Sequence, residues 1–430
     1  MSIINVNVVA PLGYTGPALT GNSDNVEIID SLGTSMIYTD STLRYIGIGG
    51  NNSAPLAFAI NIGHQAGNAL AFNTNGPSIA IGTYAMQYSQ WTGGNTAIGQ
   101  YALENATGIT GVNNIAIGNS AGRYITNGYN NVLLGNFAGL SNTLSENSVI
   151  IGQSALQTSA GASKSVIIGS NAFRDSTVGT TFSVAIGYNA MRNAGNSNGS
   201  VAIGYQSLYN TNTLASSNTA VGKDTLLNST SGSQNTAVGS ESGKTLISGI
   251  ANAFFGILSG SAVTTGGSNT FIGSLAGAFN AGDVFTGSNN IAIGASSNPA
   301  TLSTSNCITL GNASNDVLRC AVTSITSLSD ARDKKEVEDL NVGLEFIDGL
   351  RPVKFVWDDR DEAGKHDIAD FGFIAQDLKE AEEAVDMSDV LKLVYDENPE
   401  KLEASYGKLI PILVKAVQEL SAEVKLLKSK

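Results

Sequence analysis

The amino-acid sequence predicts a mainly β protein: a long repetitive β-solenoid or β-roll, then a small α+β domain ending in a helical coiled-coil segment. Three observations carry that prediction. A short block ending in glycine recurs fifteen times, with glycines at 63, 82, 99, 118, 135, 152, 169, 187, 204, 222, 239, 256, 273, 294 and 311, spaced 17 to 21 residues apart. Charge divides near residue 328: positions 1–328 hold 11 Asp/Glu and 8 Lys/Arg, whereas positions 329–430 hold 25 and 15. Near the C-terminus, Leu413, Val417, Leu420, Val424 and Leu427 take the alternating steps of four and three that make a coiled-coil seam.

Composition narrows the function class. Of 430 residues only 14% are charged, well below the usual quarter of a soluble globular chain, and 49 are glycine. A hydrophobic content of 42% contradicts disorder. A net charge of −13 gives no footprint for nucleic acid or an anionic membrane surface. No stretch approaches 18 apolar residues, so no membrane insertion is expected. Met1-Ser2-Ile3-Ile4-Asn5 has neither the basic nor the apolar region of a secretory signal. Cys307 and Cys320 are the only cysteines, and His64 and His366 the only histidines, so no disulfide framework, metal site or cofactor is expected.

In chain order, residues 1–50 lack the repeat, residues 51–320 form the glycine-rich shaft, residues 321–328 are a short neck, and residues 329–430 are a separate domain. Within each repeat the residue before the glycine is always Ile, Leu, Val or Phe, and the residue two before that is β-branched except at Ala253. Between them sits a residue that is usually alanine, as at Ala97, Ala116, Ala185 and Ala220. Four before the glycine, thirteen of fifteen copies have Asn or Ser, and three after it every copy has Ala, Ser or Thr. Alternation with β-branched residues on one face predicts a strand of about four residues. The glycine ends it where the backbone takes a positive φ or approaches another chain segment closely. So short a strand buries nothing alone, so the copies must stack. Small residues on the second face predict tight packing there, against another turn or another chain, and the Asn/Ser register predicts side-chain ladders or turn caps. Blocks such as Asn114-Ile115-Ala116-Ile117-Gly118 resemble the head repeats of trimeric adhesins and the shaft repeats of bacteriophage tail fibres, over roughly residues 51–315.

The C-terminal region uses another pattern. Val342 to Leu350 predicts an amphipathic helix and Pro352-Val353-Lys354-Phe355-Val356-Trp357 a strand, with a polar loop from Asp358 to Asp370. The terminal seam covers about two heptads, too little to be stable alone. Packing of this helix on its own domain is as good a reading as a coiled coil. The junction Ser329-Asp330-Ala331-Arg332-Asp333-Lys334, followed by Leu350-Arg351-Pro352-Val353, Gly372-Phe373-Ile374-Ala375-Gln376 and Tyr406, resembles the endosialidase-type intramolecular chaperone of phage tail fibres and tailspikes over residues 329–430. Pro411 departs from that family's helix formers but is tolerated in a first turn.

That resemblance implies a homotrimer whose terminal domain aligns three chains and then cuts itself off. It implies Ser329 as nucleophile and Lys334 as base, with cleavage between Leu328 and Ser329: a single-turnover Ser-Lys endopeptidase and no multiple-turnover enzyme. Serine needs a base to take its proton, and lysine must first lose its charge. Lys335 and Arg332 supply neighbouring cations, while Asp330, the third candidate, opposes them together with Asp333. By spacing alone Ser-x-x-x-x-Lys is a polar linker as readily as a dyad. The function implied is a virion tail appendage assembled in the host cytoplasm. It would dock to a tail or baseplate protein through residues 1–50 and grip a host glycan or surface protein. The alternatives are a bacterial trimeric surface adhesin and a tailspike depolymerase. For the latter, Asp224 and Glu241 fall one rung apart, about 4.8 Å, near the separation of a retaining glycosidase pair. Gln65, Gln206 and Asn189 at the same register favour an exposed turn position. Tyr84, Trp91, Tyr101, Tyr188 and Tyr205 are candidates for stacking on sugars, with packing the plainer reading for each. His64 reads as solvated, and His366 as a minor participant in the C-terminal domain.

Overall fold

The computed structural model describes residues 27–29, 35–40, 45–48, 59–67, 78–89, 93–105, 111–158, 161–176, 179–211, 215–280, 282–315, 317–319, 321, 326–358 and 366–430. Trp91, Cys320 and the His366 side chain lie outside them, as does most of the 1–50 segment. Every repeat glycine directly follows a short strand, from Ala59–Ile62 to Ile308–Leu310. Successive strands pair parallel and in register: Thr219, Ala220 and Val221 lie beside Thr236, Ala237 and Val238. Each partner is the neighbouring block of the same chain, so the shaft is a self-contained parallel β-solenoid. Its sheet begins before the repeat does. Strand Glu27–Ile29 runs antiparallel to Ser35–Asp40, which runs antiparallel to Tyr45–Ile48, and Tyr45–Ile48 joins the first repeat strand in parallel.

The two faces are assigned by volume. The middle residue of each strand points inward, and Ala97, Ala116, Ala185, Ala220 and Ala237 are fully buried. The Ile, Val and Thr residues on either side point outward. The small face therefore packs inside its own turn and not against a second chain, because the rung is too narrow to hold large residues from every side. At three rungs with a large middle side chain the opposite corner gives way, whereas Ile150 and Ile167 share their rungs with buried Leu156 and Phe173. Leu133, Phe254 and Phe271 are fully buried, and Gly139, Gly260 and Gly277 stand where an added methyl would overlap them. Where the middle residue is alanine, Leu103, Met191 or Leu226 fills the same corner.

The repeat glycine meets both requirements expected of it. Gly204 has φ +135°, and a methyl on it would collide with the carbonyl oxygen of Gly222 on the next rung. Beside it runs the amide ladder. Asn218, Asn235, Asn252, Asn269 and Asn290 are buried, and each accepts the backbone N–H four residues before the next glycine, at 2.9–3.0 Å. Their amide groups donate to carbonyls of the following turn, as from Asn252 to Gly266 at 2.9 Å. Ser148, Ser165 and Ser200 hydroxyls continue the ladder as acceptors, while the Ser200 N–H bonds the Ser197 carbonyl instead. The buried backbone N–H groups at this register are thereby paired, as burial demands.

Among its described residues the C-terminal domain has four α-helices, α1 (Leu344–Gly349), α2 (Ala375–Ala384), α3 (Ser388–Leu391) and α4 (Leu409–Lys428), the antiparallel hairpin Val353–Asp358 with His366–Gly372, and a short antiparallel pair, Val394–Tyr395 with Glu403–Ala404. Its core is Val342, Phe346, Leu391, Leu393, Leu409 and Ile412. Pro411 sits in the first turn of α4, where its missing N–H has no intrahelical partner to lose. α4 serves both readings of its sequence. Leu409, Ile412 and Ala416 pack inward, while Leu413, Val417, Leu420, Val424 and Leu427 remain exposed in the single chain.

Candidate functional site at the shaft junction

The junction is built by a one-turn 3-10 helix, Ala331–Asp333. Asp330 caps it: its carboxylate accepts the Arg332 backbone N–H at 2.9 Å and pairs with the Arg332 guanidinium at 2.6 Å. The turn reverses the chain so that Lys334 Nζ lies 2.6 Å from Ser329 Oγ, within donating distance across five residues. Two of the three sequence candidates therefore meet directly, and the third shapes the turn that joins them. The ion pair with Arg332 holds the Asp330 carboxyl below the usual carboxylate range and raises the guanidinium in turn. Arg332 is thus committed to Asp330, and Lys335 lies 3.8 Å from Glu336, so both cations expected to assist the lysine have acidic partners of their own. Leu328, on the acyl side of the bond, is fully exposed, and every residue from Ser329 to Glu338 is exposed.

The other motifs meet one another within the C-terminal domain. The Tyr406 hydroxyl accepts the Phe373 N–H at 3.2 Å, and the two rings meet edge to face at 5.6 Å. Gly372 leaves room for the Tyr406 ring, since a Cβ there would come within 2.6 Å of the Tyr406 oxygen. Arg351 pairs with Asp377 at 2.8 Å. Two supports had no signal in the sequence. Glu419 accepts the Leu344 N–H at the start of α1 at 2.7 Å, and buried Glu382 accepts the Leu393 N–H at 2.8 Å. Their partners are too far along the chain, or too ordinary, for any local pattern to mark them. The domain also reaches the shaft, where Asn398 donates to the Ala300 carbonyl at 3.4 Å.

The remaining candidates fall on the shaft. Asp224 and Glu241 do occupy successive rungs, bridged by Lys223 at 2.9 and 3.7 Å, with Lys244 also on Glu241 at 2.9 Å. Lys244 chiefly holds Glu241 below the usual carboxylate range, the reverse of what a general acid needs. His64 is exposed and meets Tyr84 edge to face; Tyr84 stacks on Tyr101 at 5.2 Å. Tyr188 and Tyr205 stack at 5.7 Å and stay nearly half exposed.

Residues 329–387 match the family described as the chaperone of endosialidase. The match begins at Ser329 and ends in the segment between α2 and α3, short of the 329–430 span suggested by the motifs. No curated protein and no solved structure matches the chain. Among the described residues no helix is long and apolar enough to cross a membrane. A β-solenoid shaft joined to this chaperone domain fits a tail-fibre-like protein, and the chaperone family implies trimer formation.

Proposed function

We propose that this chain is a homotrimeric fibre of a phage virion, folded by its C-terminal domain as an intramolecular chaperone and released by one self-cut. The observation that carries the reading is the Ser329–Lys334 contact at the first residues of the chaperone match. Ser329 is the residue after the scissile bond. Its Oγ attacks the Leu328 carbonyl carbon as its proton passes to Lys334 Nζ. The C–N bond then breaks, the proton reaches the departing Ser329 nitrogen, and the acyl group rests on Oγ as an ester. Water hydrolyses that ester to the Leu328 carboxylate and restores the hydroxyl. A lysine in water holds its proton, and the exposed junction gains the desolvation it needs when chains pack around it. The cut is thereby tied to assembly.

After the cut, the shaft's work is mechanical and adhesive. Residues 1–50, at the end away from the chaperone, dock to a tail or baseplate protein, and the shaft grips a host glycan or protein. The stacked, exposed pair Tyr188 and Tyr205 supports the glycan, since such faces stack on sugar rings. Intact mass under denaturing conditions tests the reading. Wild type should split after Leu328 while Ser329→Ala stays whole. Wild type remaining whole after trimerisation would remove the dyad's role and leave the chaperone as a permanent domain.

A further inference from the structure

Two columns of side chains run along the outer face of the shaft's sheet, at one and three residues before each repeat glycine. They comprise thirty positions in fifteen rungs, and none carries a charge; 25 of them are Ile, Leu, Val or Phe. At about 4.8 Å per rung this apolar strip is roughly 65 Å long. It faces solvent in the single chain: Ile115, Ile117, Ile203, Phe255, Ile272 and Ile293 are each about 40% exposed, although neighbours stack above and below every one. The shaft's charged side chains lie elsewhere, on corners where they pair, as in Arg123–Glu104 and Arg192–Asp175. An uncharged apolar face of this length exceeds what an isolated soluble protein leaves in water.

We infer that this strip is the contact between three copies of the chain, each a closed solenoid, with the three strips meeting along a threefold axis. The inference deepens the trimeric reading above and rests on it. The interiors are already full, because the inward residues of each rung are buried against their own turn, so a second chain has no strand to insert. If each outward side chain gives up about 50 Å², the strip buries on the order of 1,500 Å² per copy, ample for a stable assembly. The exposed seam of α4 offers a second uncharged line, Leu413, Val417, Leu420 and Val424, for the same three copies at the chaperone end. A threefold arrangement also makes every copy equivalent, which two-sided stacking into sheets does not.

The test uses full-length chain with Cys307→Ser and Cys320→Ser, carrying one new cysteine at a time. Val221→Cys and Val238→Cys probe the strip, and Leu144→Cys, an exposed position off it, is the control. Sedimentation gives the mass, and a polymer-linked maleimide reports access under native conditions. The expected result is a trimeric mass with strip cysteines labelled about tenfold or more slower than Leu144→Cys, as for groups reached only by local opening. A trimeric mass with strip cysteines labelled as fast as the control overturns the inference and leaves the trimer standing, with the strip free for another partner. A monomeric mass would instead remove the trimeric reading itself.

Discussion

Leu133 and Gly139 show how little room a rung contains. Leu133 is fully buried, and Gly139, at φ +60°, stands where any side chain would run into it. Two rungs earlier the same space is divided differently, with Ala97 at the strand and Leu103 at the corner in the same left-handed conformation, φ 48°. Between these two rungs, the corner holds a leucine where the strand has alanine. Gly139→Ala should destabilise its rung by about 1–2 kcal/mol through the positive φ and the overlap together. Adding Leu133→Ala to Gly139→Leu should recover much of what either change loses alone. Denaturant midpoints of the four chains in this double-mutant cycle measure the coupling. Purely additive losses would show that the two sites do not share one volume. Residues such as Tyr101 (φ 59°) and Asn189 (φ 56°) take the same left-handed conformation at the corner after the glycine. No composition rule marks them, because the tightness of the turn, and not the residue's own preference, sets their backbone.

At the scale of the element, the repeat block was legible as a strand because alternation fixes which residues share a face. It does not fix which face is the interior. The ordinary expectation sends large apolar residues inward, and here the width of the solenoid reverses it, so that Ala220 is inside and Thr219 and Val221 are outside. The Asn/Ser register was legible too, since only a stacked repeat brings the same short polar side chain back at every turn. Its energetics are local. Asn252→Ala removes the acceptor for the Asn269 N–H and the donor to the Gly266 carbonyl, at a cost of about 1–3 kcal/mol for polar groups left buried. Amide hydrogen exchange should therefore quicken at Asn269 and its neighbouring rungs first, while distant rungs hold their protection. Uniform loss along the shaft would contradict a nearest-neighbour stack. At the junction, only the surrounding motifs singled out Ser329 and Lys334 as a pair. The 3-10 turn that closes Ser329 on Lys334 depends on Asp330 engaging Arg332, an interaction two residues long that looks like any polar linker.

For the whole molecule, closed rungs change the folding problem. The repeat pattern left open whether a block stacks on another turn of its own chain or on another chain. Each strand pairs with the next block of its own chain, seventeen residues on at Thr219 and Thr236. Contacts of that kind form quickly. On the proposed trimer, the demanding step is then bringing three apolar faces together in one register, and the C-terminal domain touches the shaft near its last rung, through Asn398 and Ala300. Full-length uncleaved chain diluted from denaturant should regain trimer. The isolated 1–328 product should aggregate or refold in far lower yield, as expected when stability is kinetic. Equal recovery of both by sedimentation would show that the domain is dispensable for assembly.

The direction of the backbone hydrogen bonds has a mechanical consequence. Strands lie across the shaft, so the bonds between rungs, such as Gly239 to the Val221 carbonyl at 2.8 Å, run along it. A pull on the two ends loads each rung junction in turn, with all of that junction's bonds sharing the tension. When one junction gives, about seventeen residues come free and lengthen the tether by roughly 55–60 Å, at 3.3–3.6 Å per extended residue. The remaining rungs stay stacked. Under load such a shaft does not snap at a single threshold: it lets out slack in steps, each absorbing work before the tension builds again.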